Sequence, residues 1–233
     1  MTSNRTTTVL ALCAVVILAI GAVTDIDMWL AHAMAGNGPV AFPLRHAWFA
    51  ETVNHKYIKR IMIVLAACFI LPVAYDLWRP RKRWDERLRL RMRLVALSAL
   101  LVPLAVSLLK RLSYSHCPWD LVAFGGDEPY VRLLQPLIAG VPAGHCMPAG
   151  HASSALWLVS LAVFWLPEHP RKAALMGAAM LLLGFVIGWI QQLRGAHFLT
   201  HTLWSMWIAC AIVSTMWRVA MRNKHYARLY QVS

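Results

Sequence analysis

Cys146-Met147-Pro148-Ala149-Gly150-His151-Ala152-Ser153 leads directly into an apolar run that lasts to about Leu166. Pro148 and Gly150 favour a tight turn, and a helix that starts after such a turn presents backbone N–H groups with no intrahelical partner. A glycine at that point lets an anion approach the backbone, so the helix start suits a phosphate or another oxyanion. His151, at the mouth of the turn, exchanges protons near neutral pH. Whether this is a site depends on what the surrounding chain provides.

The surroundings are apolar. Of 233 residues, 59% are hydrophobic and only 14% charged, against roughly 25% charged in soluble domains; the mean hydropathy is +0.54. The net charge of +13 raises nucleic acid as a partner. The basic residues, however, cluster between apolar runs and form no single polar basic face. Anchoring at anionic lipid therefore fits better, and no nucleic acid is expected.

Apolar runs fall at about 9–23, 61–75, 94–109, 152–166, 173–190 and 202–217. Each is near or just below the roughly 18–20 residues that span a bilayer. Six in one short chain, flanked by Trp and basic residues, point to spanning helices. Trp78, Trp165 and Trp217 fall at one set of ends and Trp119, Trp189 and Trp204 near the other, which suits two aromatic belts. With both termini cytoplasmic, the Arg-rich segment 79–93 and the tail 218–228 hold more Lys and Arg than all the outer segments together. That is the positive-inside bias. The segment 79–93 reads as a topology determinant. The first run follows Arg5 like a signal peptide, but no small-x-small cleavage site precedes Thr24-Asp25-Ile26-Asp27, so it is read as a retained helix. Residues 24–57, with Gly36, Gly38, Pro39 and Pro43 among Trp29, Trp48 and Phe49, read as short interfacial pieces.

Residues 110–150 form a long outer loop rich in turn formers, and such loops are usually functional. Ionisable groups gather at the outer helix ends: Lys110 after the third run, His151 before the fourth, and Arg194 with His197 between the fifth and sixth. Charge at such depths is expensive and is by default functional. Two cations, two histidines and a glycine-bearing helix start are what phosphoryl transfer without a metal or cofactor needs. The cations and N–H groups grip phosphate, one His attacks phosphorus, and the other protonates the leaving oxygen.

Lys110 followed by six residues and Cys117-Pro118, then Pro148-Ala149-Gly150-His151, then Gly195-Ala196-His197, together resemble the three motifs of the type 2 phosphatidic acid phosphatase (PAP2) superfamily. Those motifs are Lys, six residues, Arg-Pro; Pro-Ser-Gly-His; and Ser-Arg, five residues, His, three residues, Asp. The resemblance implies an all-α integral membrane fold, a six-transmembrane-helix bundle forming one domain over residues 1–233, with residues 110–150 carrying the first two motifs. It implies His197 as the nucleophile that forms a phosphohistidine and His151 as the general acid. Lys110 and the N–H groups of Ala149 and Gly150 would bind the phosphate.

Four positions depart from the pattern. Cys117 stands in place of Arg, Ala149 in place of Ser, Ile190-Gln191 in place of Ser-Arg, and His201 in place of the orienting Asp. Arg194 lies three residues after Gln191, on nearly the same helix face, and would supply the missing guanidinium, with Gln191 adding a hydrogen bond. His201 would orient His197; Asp120 is the other candidate. Cys117 and Cys146 each adjoin a motif. They are read as a disulfide, worth about 3–4 kcal/mol for a loop of about thirty residues, with two free thiols as the alternative. His116 and His145 directly adjoin these cysteines, which is not a usual metal-ligand spacing.

The function expected is that of a lipid phosphatase of the bacterial inner membrane with its site facing the periplasm. By resemblance its partner lipids are lipid A, undecaprenyl pyrophosphate, phosphatidylglycerophosphate or phosphatidic acid. A lipid phosphotransferase using the same His, and a non-catalytic membrane protein that binds lipid phosphate, are the alternatives.

Overall fold

The computed structural model describes residues 3–36 and 41–230; Gly38 and Pro39 of the expected interfacial stretch lie outside them. Its helices are α1 (Ser3–Val23), α2 (Ile26–Met34), α3 (Lys59–Trp78), α4 (Glu86–Arg111), α5 (Gly150–Leu156), α6 (Pro170–Leu193), α7 (Leu199–Arg222) and α8 (Lys224–Leu229). Among the described residues there is no strand, only an isolated bridge between Leu121 and Glu128. Five helices are long and apolar enough to cross a membrane: Asn4–Val23, Phe49–Trp78, Glu86–Arg111, Pro170–Leu193 and Leu199–Arg222.

The fourth apolar run is the exception. It forms seven residues of α-helix and then a nine-residue 3₁₀ segment, Trp157–Trp165. At about 1.5 Å per α residue and about 2.0 Å per 3₁₀ residue, the pair reaches about 28 Å. A continuous α-helix of the same residues would be about 24 Å, against a hydrocarbon core of about 30 Å. The tighter winding lengthens a segment whose residue count is low.

This short helix is the centre of the bundle. Ala152, Ala155, Leu156 and Trp157 are all buried, among Val95 and Val102 of α4, Ile187 of α6 and Ala209 of α7. Gly184 and Gly188 of α6 make the close approach possible. A Cβ at Gly184 would sit 2.3 Å from Leu156, and one at Gly188 would sit 2.5 Å from Thr202 of α7. This is the small-residue spacing by which membrane helices pack in van der Waals contact. Outward, α1, α3 and α4 expose Val, Leu and Ile side chains along their length, the inverse of a soluble surface.

Phe49–Ile58 is a π-helical segment continuous with α3. It is therefore part of a long helix and not one of the interfacial pieces expected before Tyr57. Buried Asn54 donates to the Ile187 carbonyl at 3.2 Å and fixes it to α6. The basic segment 79–93, expected as a topology determinant, also has a structural part, since Arg87 to Arg93 open α4. Buried Asp76 of α3 pairs with Arg89 at 3.3 Å and Arg93 at 3.5 Å, and Arg91 pairs with Glu168 at 2.8 Å. These contacts lock the end of the bundle opposite Lys110.

Candidate active site

Three turns converge at the other end. The two sides of the long loop run together: the N–H of His145 donates to Ser113 O at 3.0 Å and that of Cys146 to Ser115 O at 2.9 Å. Cys117 and Cys146 form a disulfide with a Cα–Cα distance of 5.4 Å. His116 faces Pro142 O at 3.0 Å and staples the loop. Lys110 and His151, at the loop's two ends, are thereby held near one another.

The start of α5 docks on α7. The Ala149 N–H donates to His201 O at 3.0 Å, and Ser205 Oγ donates to Ala149 O at 3.0 Å. The Ala149 N–H is thus already committed, which corrects its expected use on phosphate. The first-turn amides of α5 itself, beginning with Gly150, have no partner within the helix. Asp27 of α2 caps α7 in trans: its carboxylate accepts from the Thr200 N–H at 3.1 Å and from the Thr200 hydroxyl. Burial raises the Asp27 pKa, and the hydrogen bonds from Thr200 oppose that shift.

The α6–α7 turn depends on Gly195, whose φ is +74° and whose missing Cβ leaves room for Phe42. Its carbonyl accepts from the Trp119 N–H at 3.0 Å, which brings the first motif's loop onto the third. Arg194 is buried, donating to Gln191 Oε1 at 3.0 Å and to Arg45 O at 2.8 Å. His197 is 4% exposed. Its Nδ1 lies 3.5 Å from His201 Nδ1 and 3.5 Å from Cys146 Sγ. His201 Nε2 lies 3.0 Å from Ser115 Oγ. Burial pushes the His197 pKa well below its ordinary 6.5, and positive charge on His201, Lys110 and His151 acts in the same direction.

Lys110, Gly150 and His151 line one cavity of about 430 Å³ between α3, α4 and α5. Two neighbouring features escape the motifs. Lys59 of α3 opens onto the same cavity, and the His55 ring lies on that of His151 with centroids 3.9 Å apart. The sequence signal was the polar cluster 54–60 just before an apolar run, the mirror of Lys110 and Arg111 just after one. Asp120 contributes backbone hydrogen bonds to Glu128 and Cys117; among the described residues its carboxylate makes no hydrogen bond to His197. The ligand atoms of Cys117, Cys146 and His197 lie within 4.8 Å of one another, but both sulfurs are spent in the disulfide, so the cluster is no metal ligand set.

The arrangement is therefore a buried imidazole backed by a second imidazole and a hydroxyl, and, within electrostatic reach of it, a cationic cavity that carries a further histidine and whose lining does not include His197. No curated protein and no solved structure matches the chain. The sequence model of the PAP2 superfamily matches residues 91–225, more than half of the chain and all three turns of the site. This chain belongs to the PAP2 superfamily.

Proposed function

We propose that the protein is a lipid phosphatase that hydrolyses a phosphomonoester or pyrophosphate through a phosphohistidine at His197, without a metal. Superfamily membership supports phosphoric-ester hydrolysis in general. The choice of a lipid rests on the shape of the cavity. Lys59, Met62, Ile63 and Ala66 fall on one face of α3, and Ala99, Pro103, Ser107 and Lys110 on one face of α4. Each face carries a lysine at one end, and apart from Ser107 the residues below it are apolar. A phosphate gripped by the lysines has its tail directed down an apolar cleft.

His197 Nδ1 faces His201, so the attacking atom is Nε2. With the proton on Nδ1 directed at His201, and the His201 proton directed at Ser115, the Nε2 lone pair is free for phosphorus. The P–N bond forms as the P–O bond to the leaving group breaks, and His151 gives that oxygen a proton. A bound phosphate dianion favours the imidazolium that this donation needs. Water then attacks phosphohistidine with His151 as base, releasing phosphate and restoring His197.

The 3₁₀-lengthened segment Gly150–Trp165 is the sixth span, both termini are cytoplasmic, and the site faces the periplasm of a bacterial inner membrane. The Lys and Arg distribution supports that orientation, as does a disulfide beside the site, since such bonds persist in oxidising compartments. The test is phosphate release from phosphorylated lipids by wild type and His197→Ala, with and without EDTA. Release equal in both proteins would sink the mechanism. Loss with EDTA would sink its metal independence.

A further inference from the structure

The superfamily's first motif pairs its lysine with an arginine seven residues later. Here that place is Cys117, a disulfide sulfur with no charge. Arg194 keeps its charge, but its Nε and Nη1 are tied to Arg45 O and Gln191 Oε1, and it does not line the cavity that holds Lys110. A phosphomonoester carries a charge of about −1.5 to −2 near neutral pH, so Lys110 alone on the cavity wall leaves the dianion under-compensated there.

Across the cavity from Lys110 stands Lys59, on the same α3 face as Met62 and Ala66. Among the described residues neither lysine forms an ion pair; Glu51, in the π segment before Lys59, pairs instead with His46 at 3.4 Å. Two ammonium groups on one cavity repel, and an anion between them removes that cost. We infer that Lys59 is a phosphate ligand that replaces the missing arginine of the first motif from α3, outside the part of the chain that matches the superfamily. The inference rests on the phosphatase reading, and it makes α3 a wall of the site.

A lysine that merely reaches for lipid headgroups is distinguished with inorganic phosphate as the probe. Hydrolysis of a phosphorylated lipid in detergent is measured for wild type, Lys59→Gln, Lys59→Arg and, as control, exposed Arg60→Gln. Lys59→Gln raises KM and the inhibition constant for inorganic phosphate together, about tenfold, or about 1.4 kcal/mol, with kcat changed less. Lys59→Arg stays within about threefold and Arg60→Gln is unchanged. An unchanged inhibition constant in Lys59→Gln overturns the inference. Titrating inorganic phosphate directly into wild type and Lys59→Gln decides the point independently of turnover. Equal Kd overturns the role of Lys59, whereas hydrolysis that survives His197→Ala overturns the phosphatase mechanism instead.

Discussion

Replacing both Cys117 and Cys146 by Ala removes a bond that closes 29 residues of chain. The chain-entropy relation gives about 3–4 kcal/mol for a loop of this length. For a domain of this size each kcal/mol moves Tm by about 2–4 °C, so a fall of roughly 6–16 °C is expected. The same change acts on chemistry, because Cys146 Sγ packs 3.5 Å from His197 Nδ1 and 3.2 Å from Ala196 O. Cys146 is fully buried, so its loss leaves His197, the proposed nucleophile, with an empty neighbour. A misplacement of about 1 Å costs up to about 100-fold; a 10- to 100-fold fall in kcat/KM is expected. The assay is residual phosphatase activity after heating, with intact mass measured before and after reductant. Reductant added to wild type should reproduce the fall in Tm, since it opens the same cross-link while leaving Cys146 Sγ beside His197, and should leave the double variant unaffected. A Tm shift below about 1 °C, together with unchanged kcat/KM, would refute the reasoning.

His201→Ala removes the imidazole beside His197 Nδ1. A neutral hydrogen bond is worth about 0.5–1.5 kcal/mol, so kcat falls about 2- to 13-fold with KM unchanged; a loss as deep as that of His197→Ala would make His201 essential in its own right. Because burial holds the His197 pKa well below 6.5, the imidazole stays neutral as pH drops through 6.5, and if His197 is the nucleophile as proposed, the acid limb of kcat/KM that it sets lies well below that value. The sign for stability is the opposite. The unfolded state takes up the proton first, so stability is full above pH 6.5 and falls at up to about 1.4 kcal/mol per pH unit towards the folded value; a pH–rate profile and unfolding at several pH values read the two. Gly195→Ala puts a Cβ 2.4 Å from the Phe42 ring at a positive φ. It should cost about 1–3 kcal/mol and lower kcat by displacing His197, whereas wild-type stability would show that the turn tolerates a side chain.

The site is largely local to three short stretches, and those were readable because each joins a turn former to an ionisable group at the end of an apolar run. Pro148 to His151, Gly195 to His197, and Lys110 with Cys117 are of this kind. The segment Phe49–Ile58 was not readable. Glu51, Asn54, His55 and Lys56 break the apolar periodicity, and what makes the segment helical is tertiary, namely Asn54 on α6 and His55 on His151. The partner of the Ala149 amide is not legible for a similar reason. An unpaired N–H at a helix start is a local inference, but His201 O arrives from α7, over fifty residues away. The 3₁₀ winding of Trp157–Trp165 was not readable either, because an apolar run of this composition fits α and 3₁₀ turns alike. Asp120 was a reasonable orienter by charge, but its own backbone pairing turns it into the loop formed with Glu128.

The central claim is that phosphate passes through His197. Rapid acid-free quenching of turnover on a lipid labelled at its phosphate, followed by peptide mapping, tests it directly. The expected result is a base-stable, acid-labile label on the peptide carrying His197, absent in His197→Ala, which also releases no phosphate. Turnover that proceeds with no protein-bound label, or a label that persists in His197→Ala, would contradict it.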